Sequence, residues 1–298
     1  MSRPDWSRDG GRWPHRDASR FVESGGLRWH VQTMGEGPVV LLIHGTGAAS
    51  HSWRGLMPRL AECFQVIAID LPGHGFTSAP RTAGFALPAM AQAIGHLLTL
   101  LAATPALVIG HSAGAAIAAQ LALSGATDAP IVAINGALAP FPGAAKLIFP
   151  TMAKALFLNP IVPRLFSLQG QSRTLVRNFL ERSTGSRVDD EGARLYQLLF
   201  ARSDHCAAAL GMMACWDLDA LDRRLGTLSV PLLLAGDRDA AVPPSVSEQV
   251  AQRLPNAQSI RLHGLGHLAH EEAPEAVIKA MVPWLAVQSI TARASGTP

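Results

Sequence analysis

The 298-residue chain has few cysteines and few charged residues. Its three cysteines, Cys63, Cys206 and Cys215, are odd in number and match no metal-ligand spacing, which argues against a disulfide framework. We therefore expect a reduced, cytoplasmic setting. Charged residues make up only 16% of the chain, and the net charge of +3 is too small to indicate nucleic-acid binding by itself.

The chain also lacks a long uninterrupted apolar run. Pro105 and Gly110 break the longest candidate for a membrane-spanning helix, and residues 1–18 have no apolar centre of the kind found in signal peptides. These absences predict a soluble protein, or at most one that binds peripherally to the inner membrane. No set of histidine, aspartate and glutamate residues has helical metal spacing, so neither a metal nor another cofactor is expected.

What the chain does contain is a large apolar fraction in a regular order. Hydrophobic residues make up 48% of it, which indicates a globular protein with a substantial core. Strand and helix signals alternate from Pro38 to Asn135 and again from Pro231, as in doubly wound α/β proteins, and strand signals vanish between these parts. We expect a polar N-terminal extension (1–18), an α/β core (19–138 and 229–288), a helical cap insertion (139–228) and a tail (289–298).

The segment Gly110-His111-Ser112-Ala113-Gly114 lies between an apolar run and a helix-like stretch of small residues. It fits the G-x-S-x-G pattern, in which a tight turn between a strand and a helix holds a nucleophilic serine clear of the sheet. Glycine is needed on both sides because the serine backbone is strained and neighbouring chains pass close by. Ser112 is therefore the predicted nucleophile, although a glycine-flanked turn with an incidental serine would give the same five residues.

Two later loops contain the acid and the histidine that such a serine requires, in the chain order Ser, Asp, His. Asp239 follows the apolar strand at residues 230–236, and His267 follows a second apolar segment at residues 259–262. Loops at the carboxyl ends of parallel strands gather at one edge of a sheet. Ser112, Asp239 and His267 are therefore expected to meet as a catalytic triad despite their separation in sequence.

An upstream loop is the candidate oxyanion loop. The continuous apolar run at residues 38–43 predicts a buried strand, and it ends at His44-Gly45-Thr46-Gly47. In proteins with a nucleophile elbow, this loop donates one backbone N–H to the oxyanion, and the residue after the nucleophile donates the other. We assign these donors to Thr46 and Ala113. Three histidines near the site are expected to be hydrogen-bonded packing residues, namely His74, His111 and His270.

Taken in this order, the segments resemble the α/β-hydrolase superfamily over residues 21–286. Residues 236–243 are similar to its G-x-x-D-x-x-V-P acid loop, which selects Asp239 over Asp237, and residues 266–274 are similar to its G-H-x-x-H-x-E-x-P histidine segment. A serine at the elbow resembles the esterase-like branch and differs from the dehalogenase and epoxide-hydrolase branches. The resemblance implies a mostly parallel, doubly wound sheet with an inserted helical cap, and hydrolysis of an acyl ester.

A closer resemblance is carried by Trp13-Pro14-His15-Arg16, Ser19-Arg20-Phe21-Val22, Leu27-Arg28-Trp29-His30-Val31-Gln32, His44-Gly45-Thr46-Gly47-Ala48-Ala49 and His51-Ser52-Trp53-Arg54. Together these segments look similar to the magnesium-chelatase accessory hydrolases (BchO type) of bacteriochlorophyll gene clusters. This resemblance implies a role in tetrapyrrole biosynthesis in a photosynthetic bacterium, with an ester or a tetrapyrrole as ligand and magnesium chelatase subunits as candidate partners. The alternative is a non-enzymatic accessory protein that binds porphyrin or the chelatase.

The first half of the predicted cap is both basic and apolar. Between Pro140 and Arg182, six basic residues and the single acid Glu181 lie among large apolar side chains. The ordinary interpretation is a cap that packs on the core while its cations face water. The alternative is a surface for an anionic amphipathic partner, either a tetrapyrrole with propionates or a membrane with acidic lipids. The basic residues are Lys146, Lys154, Arg164, Arg173, Arg177 and Arg182.

Overall fold

The computed structural model describes residues 2–140, 156, 159, 161–228 and 231–287. Its strands are β1 (Ser19–Ser24), β2 (Leu27–Met34), β3 (Val39–Ile43), β4 (Gln65–Ile69), β5 (Pro105–His111), β6 (Ile131–Ile134), β7 (Pro231–Gly236) and β8 (Gln258–Leu262). They form one sheet in the order β1-β2-β4-β3-β5-β6-β7-β8. The hairpin β1-β2 joins β4 in antiparallel orientation, and all the neighbours from β4 onwards are parallel. The predicted α/β fold with a mostly parallel, doubly wound sheet is confirmed.

Helices flank the sheet, and the described α-helices between β6 and β7 lie within residues 162–222. The described helices are α1 (Trp6–Asp9), α2 (Met57–Leu60), α3 (Leu87–Leu100), α4 (Ala113–Leu123), α5 (Val162–Gln169), α6 (Arg173–Thr184), α7 (Asp190–Phe200), α8 (Ser203–Cys215), α9 (Leu218–Asp222), α10 (Pro244–Arg253), α11 (Ala269–Glu272) and α12 (Pro274–Val287). Short 3₁₀ helices lie at Gly10–Arg12, Arg16–Ala18, Ser50–Trp53, Thr82–Phe85 and Leu225–Thr227. Within the described residues, no helix is both long and apolar enough to cross a membrane.

The sheet separates two apolar cores because successive side chains of a strand point to opposite faces. In β3, Leu41 and Ile43 pack with side chains of α3 and α4, whereas Val40 and Leu42 pack on the other face with Trp53 and with side chains of α12. A strand covered on both faces must be apolar at every position, which explains why this segment is a continuous apolar run. The sheet therefore holds the loops at its carboxyl edge on a rigid base.

We call α5 to α9 (residues 162–222) the cap helices. Local sequence explains where they begin and end: the Ser172 hydroxyl accepts the N–H of Leu175 at the start of α6, and Gly185 ends that helix with φ +67. The predicted domain boundaries stay predictions. Residues 141–155, which include Lys146 and Lys154 of the predicted basic surface, lie outside the described residues.

Residues 2–18 pack against both the core and the cap helices, although their composition suggested only a polar extension. Trp13 is buried, with its ring 4.8 Å from that of Phe76, and its indole N–H donates to the hydroxyl of Ser50. Asp9 forms an ion pair of 2.9 Å with Arg202, immediately before α8. The N-terminal segment therefore connects the start of α8 to the core.

Candidate active site

Ser112 is the single residue between β5 and α4, and its backbone is strained. It has φ +51 and ψ −117, a conformation that few residues other than glycine adopt. Its N–H donates to the carbonyl of Ile134, and its carbonyl accepts the N–H of Ala137, each at 3.0 Å. Its neighbours in sequence, His111 and Ala113, are buried while Ser112 is partly exposed. The geometry is that of a nucleophile elbow.

The flanking glycines allow this turn to form. A Cβ on Gly110 would lie 2.5 Å from the backbone nitrogen of Ala115, and one on Gly114 would collide with the carbonyl oxygen of Ile43 at the end of β3. Both contacts are with backbone atoms, which cannot rotate away. The glycines are therefore required by close chain approach, as the sequence predicted.

The acid and the histidine form a direct pair. Nδ1 of His267 lies 2.7 Å from Oδ2 of Asp239, with the aspartate side chain fully buried and the imidazole nearly so. The other carboxylate oxygen accepts the N–H groups of Ala241 and Val242, each at 2.8 Å. Because a carboxylate can only accept, Nδ1 carries the proton and Nε2 is left to act as a base.

Asp237 is in a different environment. Its carboxylate is partly exposed, accepts the N–H of Gly264 at 2.8 Å and lies 3.4 Å from the imidazole of His263, rather than contacting His267. The geometry agrees with the choice of Asp239 over Asp237 as the partner of His267.

Asn135, which the sequence analysis did not identify, fixes the loop that contains His267. It is fully buried with φ +48, and its Nδ2 donates to the carbonyls of Gly266 and His267 at 3.0 and 2.6 Å. Its Oδ1 accepts the N–H of Gly236 at 2.7 Å. One side chain therefore joins the ends of β6 and β7 to the histidine loop. A polar Asn-Gly pair at the end of an apolar strand was the available signal.

The cap helices also contact this loop, through backbone atoms. The carbonyl of Thr184, at the end of α6, accepts the N–H of His267 at 2.8 Å and that of Ala240 at 3.3 Å. The imidazole of His111 donates through Nε2 to the carbonyl of His267 at 2.9 Å. His111, the residue before Ser112, therefore holds the backbone of His267 next to the elbow.

The structure does not complete the triad by a direct bond. Among the described residues, the hydroxyl of Ser112 makes no hydrogen bond to the imidazole of His267; His111, one residue before the serine, makes the contact instead, with ring centroids 4.8 Å apart. Catalytic hydrogen bonds are often long before substrate binds. The step from serine to histidine is therefore part of the proposal below.

The predicted oxyanion loop lies against the elbow. A Cβ on Gly45 would lie 3.0 Å from Cβ of Ser112, so the loop passes directly beside this serine. Ala113 is the first residue of α4, where backbone N–H groups have no partner inside the helix. Thr46 and Ala113 thus lie in the two segments next to Ser112.

The cap helices contact the same loop through side chains. The hydroxyl of Thr46 donates to the sulfur of Met212 at 3.5 Å, and His205 contacts the carbonyl of Gly47 at 3.0 Å. Gly47 has φ +76, and a Cβ there would lie 3.5 Å from the ring of Phe200. The sequence analysis gave none of these three cap residues a role.

Several buried histidines surround the site. Burial, which penalises the charged form, lowers the pKa of His44 to about 4 and those of His74, His205 and His270 to about 3, and it lowers that of His111 well below 6.5. These imidazoles are neutral at pH 7. The three that were expected to be packing residues are all buried and hydrogen-bonded: His74 to Pro72, His111 to His267 and His270 to Ser52.

Two cavities lie outside the triad region. One of about 420 Å³ lies behind the histidine loop and is lined by Arg54, Arg187, Leu268 and Glu271 among others. The other, of about 800 Å³, lies at the amino-terminal edge of the strands, next to residues 102–106 and 125–130. Neither includes Ser112. In the part of the chain that the structure describes, no group of three or more His, Cys, Asp or Glu side chains is arranged to hold a metal ion.

The chain is similar in sequence to hydrolases and to one chelatase-associated protein. A model of the alpha/beta hydrolase family matches residues 40–280. A Rhodobacter capsulatus protein named magnesium-chelatase 30 kDa subunit is 41% identical over 277 residues, which is 92% of this chain and 96% of that protein. The pimeloyl-[acyl-carrier protein] methyl ester esterase of Xanthomonas campestris pv. campestris (strain B100) is 32% identical over 251 residues, covering 80% of this chain and 91% of the esterase.

Solved structures agree on the fold. A putative lipase from Acinetobacter baumannii AYE superposes with a TM-score of 0.75 at 21% identity, covering 91% of this chain and 92% of the lipase. The epoxide hydrolase CorEH superposes with a TM-score of 0.73 at 23% identity, covering 90% of this chain and 98% of CorEH. Identities this low show the fold alone. Together with the family model and the two relatives, they lead to one conclusion: this chain belongs to the α/β-hydrolase family.

Proposed function

We propose that the protein is a serine hydrolase that cleaves an ester, with Ser112 as its nucleophile. The observation that supports this most directly is the strained elbow at Ser112 beside a buried His267–Asp239 pair, all at the carboxyl edge of one sheet. Strain at a non-glycine residue persists only where the surrounding structure enforces it, and such residues cluster at functional sites. The methyl ester esterase among the relatives supports an ester as the substrate class.

In this mechanism Oγ of Ser112 attacks the acyl carbonyl while Nε2 of His267 accepts the hydroxyl proton. The imidazolium is stabilised by Asp239 and then gives its proton to the leaving alkoxide, which departs as an alcohol. A water molecule, deprotonated by the same imidazole, attacks the acyl-enzyme and releases the acid and the free serine. Backbone N–H groups of Thr46 and Ala113 bind the oxyanion in both halves of the reaction, and loss of one such donor typically costs about 3–4 kcal/mol of transition-state stabilisation.

The relative named as a magnesium-chelatase subunit supports a place near that enzyme. We propose that the protein serves tetrapyrrole biosynthesis in the cytoplasm, with a small ester or tetrapyrrole as ligand and chelatase subunits as partners. A non-enzymatic accessory protein is the second candidate, favoured by the word subunit in that name. The ordered acid–histidine pair favours the enzyme, because a protein that only binds porphyrin has no use for it.

We also propose that the outer side of the cap contacts an anionic membrane. On α5 and the residue before it, Ile161, Leu165 and Leu168 are each more than half exposed and follow one another at helical spacing. On α6, Leu175 and Phe179 are equally exposed, and Arg182 continues the same face. Surface helices of a soluble domain normally present polar residues here. Apolar stripes with nearby cations are typical of helices that lie on acidic lipid surfaces.

A fluorophosphonate probe tests the nucleophile, because it reacts covalently with activated serines. We expect the wild-type protein to be labelled and Ser112→Ala to be unlabelled while it keeps its melting temperature. Ser124→Ala, in a surface turn after α4, is the matched control and should be labelled like the wild type. Equal labelling of wild type and Ser112→Ala would remove Ser112 from the mechanism.

A further inference from the structure

We propose that His205 of α8 is a positioning residue that helps to set the orientation of the oxyanion loop, so that the geometry of the oxyanion hole depends on how the cap is seated on the core. The inference rests on the proposed function, and it assigns the cap a part in catalysis beyond covering the site. His205 is fully buried and touches two core loops at once.

The hydrogen bonds of His205 fix its tautomer. Nδ1 accepts the backbone N–H of Gly75 at 3.2 Å, so this nitrogen has no proton. Nε2 must therefore be protonated, and it donates to the carbonyl of Gly47 at 3.0 Å. The lowered pKa of about 3 keeps the ring in this neutral form at physiological pH. Both ring nitrogens are satisfied, and each has a defined direction.

The effect on the oxyanion loop passes through two peptide units. His205 binds the carbonyl of the peptide that joins Gly47 to Ala48. The N–H of that same peptide donates to the carbonyl of Gly45 at 3.2 Å. The Gly45 carbonyl belongs to the same planar peptide as the N–H of Thr46, the proposed oxyanion donor. The Gly45 carbonyl also accepts from Nδ1 of His44 at 2.7 Å, so His44 of the core holds this peptide directly and His205 holds it through the 47–48 peptide.

Without the contact from His205, the peptide between Gly47 and Ala48 could turn to a different orientation. Gly47 has φ +76, and glycine tolerates a wide range of backbone angles, so the 47–48 peptide has little intrinsic preference. The other cap contacts are weaker restraints: Thr46 donates to a thioether sulfur at 3.5 Å, and the ring of Phe200 near Gly47 has no polar atom to orient a peptide. The imidazole is therefore the strong directional contact from the cap to this peptide.

Contacts with the N-terminal segment hold His205 in its position. The N–H of Ser2 donates to the hydroxyl of Ser203, and the carbonyl of Ser2 accepts the N–H of Asp204 at 3.0 Å. With the Asp9–Arg202 ion pair, these contacts fix the first turn of α8, in which His205 lies. The N-terminal segment, α8 and the oxyanion loop thus form one connected chain of contacts.

Two amide substitutions separate positioning from packing. The amide of Gln reaches the place of Nε2 and can donate to Gly47, whereas the amide of Asn reaches only the place of Nδ1 and can accept from Gly75. Each variant keeps one of the two hydrogen bonds. We expect His205→Gln to keep kcat on a p-nitrophenyl acyl ester within about threefold and His205→Asn to lower it by about 10- to 100-fold, with KM little changed, because oxyanion contacts act in the transition state.

The control is Cys206→Ala, which removes a buried neighbour on the same turn of α8 and should change the melting temperature without changing kcat. Equal kcat values for the Gln and Asn variants, or losses of kcat that follow melting temperature across all three variants, would overturn the role of His205. A wild type that is labelled by a fluorophosphonate yet shows this pattern would retain the proposed function. A wild type that is neither labelled nor active on esters would overturn both.

Discussion

The two halves of the site are held in different ways. The acid–histidine half is joined within the core, where Asp239 binds His267 and Asn135 connects the ends of two strands to the histidine loop. From the cap, the backbone carbonyl of Thr184 accepts the N–H of His267, and the hydroxyl of Ser186 accepts that of Leu268 at 2.7 Å. The oxyanion half is held from the core by His44, which donates to the carbonyl of Gly45, and from the cap by the side chain of His205. The backbone contact of Thr184 tolerates almost any residue, whereas the side-chain contacts of Ser186 and His205 require particular ones.

This difference predicts where substitutions act. Changes in the acid–histidine half should abolish chemistry directly, whatever the position of the cap. Changes in the oxyanion half should act through the cap, and conservative replacements should be able to rescue them. Substitutions on the outer side of the cap should leave the chemical step unchanged.

The largest effect is expected at Asp239. Asp239→Asn should lower kcat by about four orders of magnitude, because an amide in this position favours the wrong tautomer of His267. Asp237→Asn is the matched control and should change kcat little, since its carboxylate binds only surface groups of the loop at residues 263–264. Ester hydrolysis and melting temperature of both variants would be measured. The reverse ranking would show that the acid was assigned to the wrong residue.

A smaller effect, on the free energy of unfolding, is expected when the pH is lowered. The pKa values of His44, His74, His205 and His270 are lowered by burial, so the unfolded chain takes up protons first as pH falls below 6.5. Their contribution to stability is complete above pH 6.5 and is lost progressively towards pH 3–4. Each of these four histidines should lower the free energy of unfolding by about 1 kcal/mol between pH 6.5 and 5.5, which urea denaturation would measure.

Both halves contribute to this pH dependence, and one variant separates them. His205→Gln removes a titrating group from the oxyanion half, and the loss of stability over the same pH interval should fall by about 1 kcal/mol. An unfolding free energy that is constant from pH 7 to 5.5 in the wild type would show that these histidines are not neutral in the folded protein.

The smallest effect is expected at the outer side of the cap. Binding to vesicles with acidic lipids should fall steeply with ionic strength, and Arg182→Glu should weaken it by about 1–2 kcal/mol at low salt. Arg20→Glu, an equal charge change on β1, is the control and should have less effect, while kcat on a soluble ester is unchanged in both variants. Absence of binding at low salt would contradict membrane contact. Saturable, largely salt-insensitive binding of a porphyrin would identify a tetrapyrrole surface instead.

The sequence was most informative where function depends on short segments of fixed spacing. The G-x-S-x-G turn predicted the strained backbone at Ser112, since glycine is needed where chains approach within contact distance. The acid loop and the histidine segment predicted which carboxylate would meet His267. Continuous apolar runs predicted the buried parallel strands because both faces of such strands are covered.

The sequence was least informative about side chains that act between distant segments. His205 lies 158 residues after Gly47 in the chain, and no local pattern distinguishes it from the other histidines of this protein. Asn135 contacts residues more than 100 positions away. The polar composition of residues 1–18 likewise concealed that Trp13 is buried.

The sequence by itself determined the alternation of strands and helices, the elbow, and the order of serine, acid and histidine, because each depends on backbone constraints and apolar periods that neighbouring residues express together. Tertiary structure alone decided which histidine supports the oxyanion loop, how the N-terminal segment secures α8, and how Asn135 unites two strands with the histidine loop. Those contacts depend on the relative placement of separate elements, and that placement arises only when the whole chain packs.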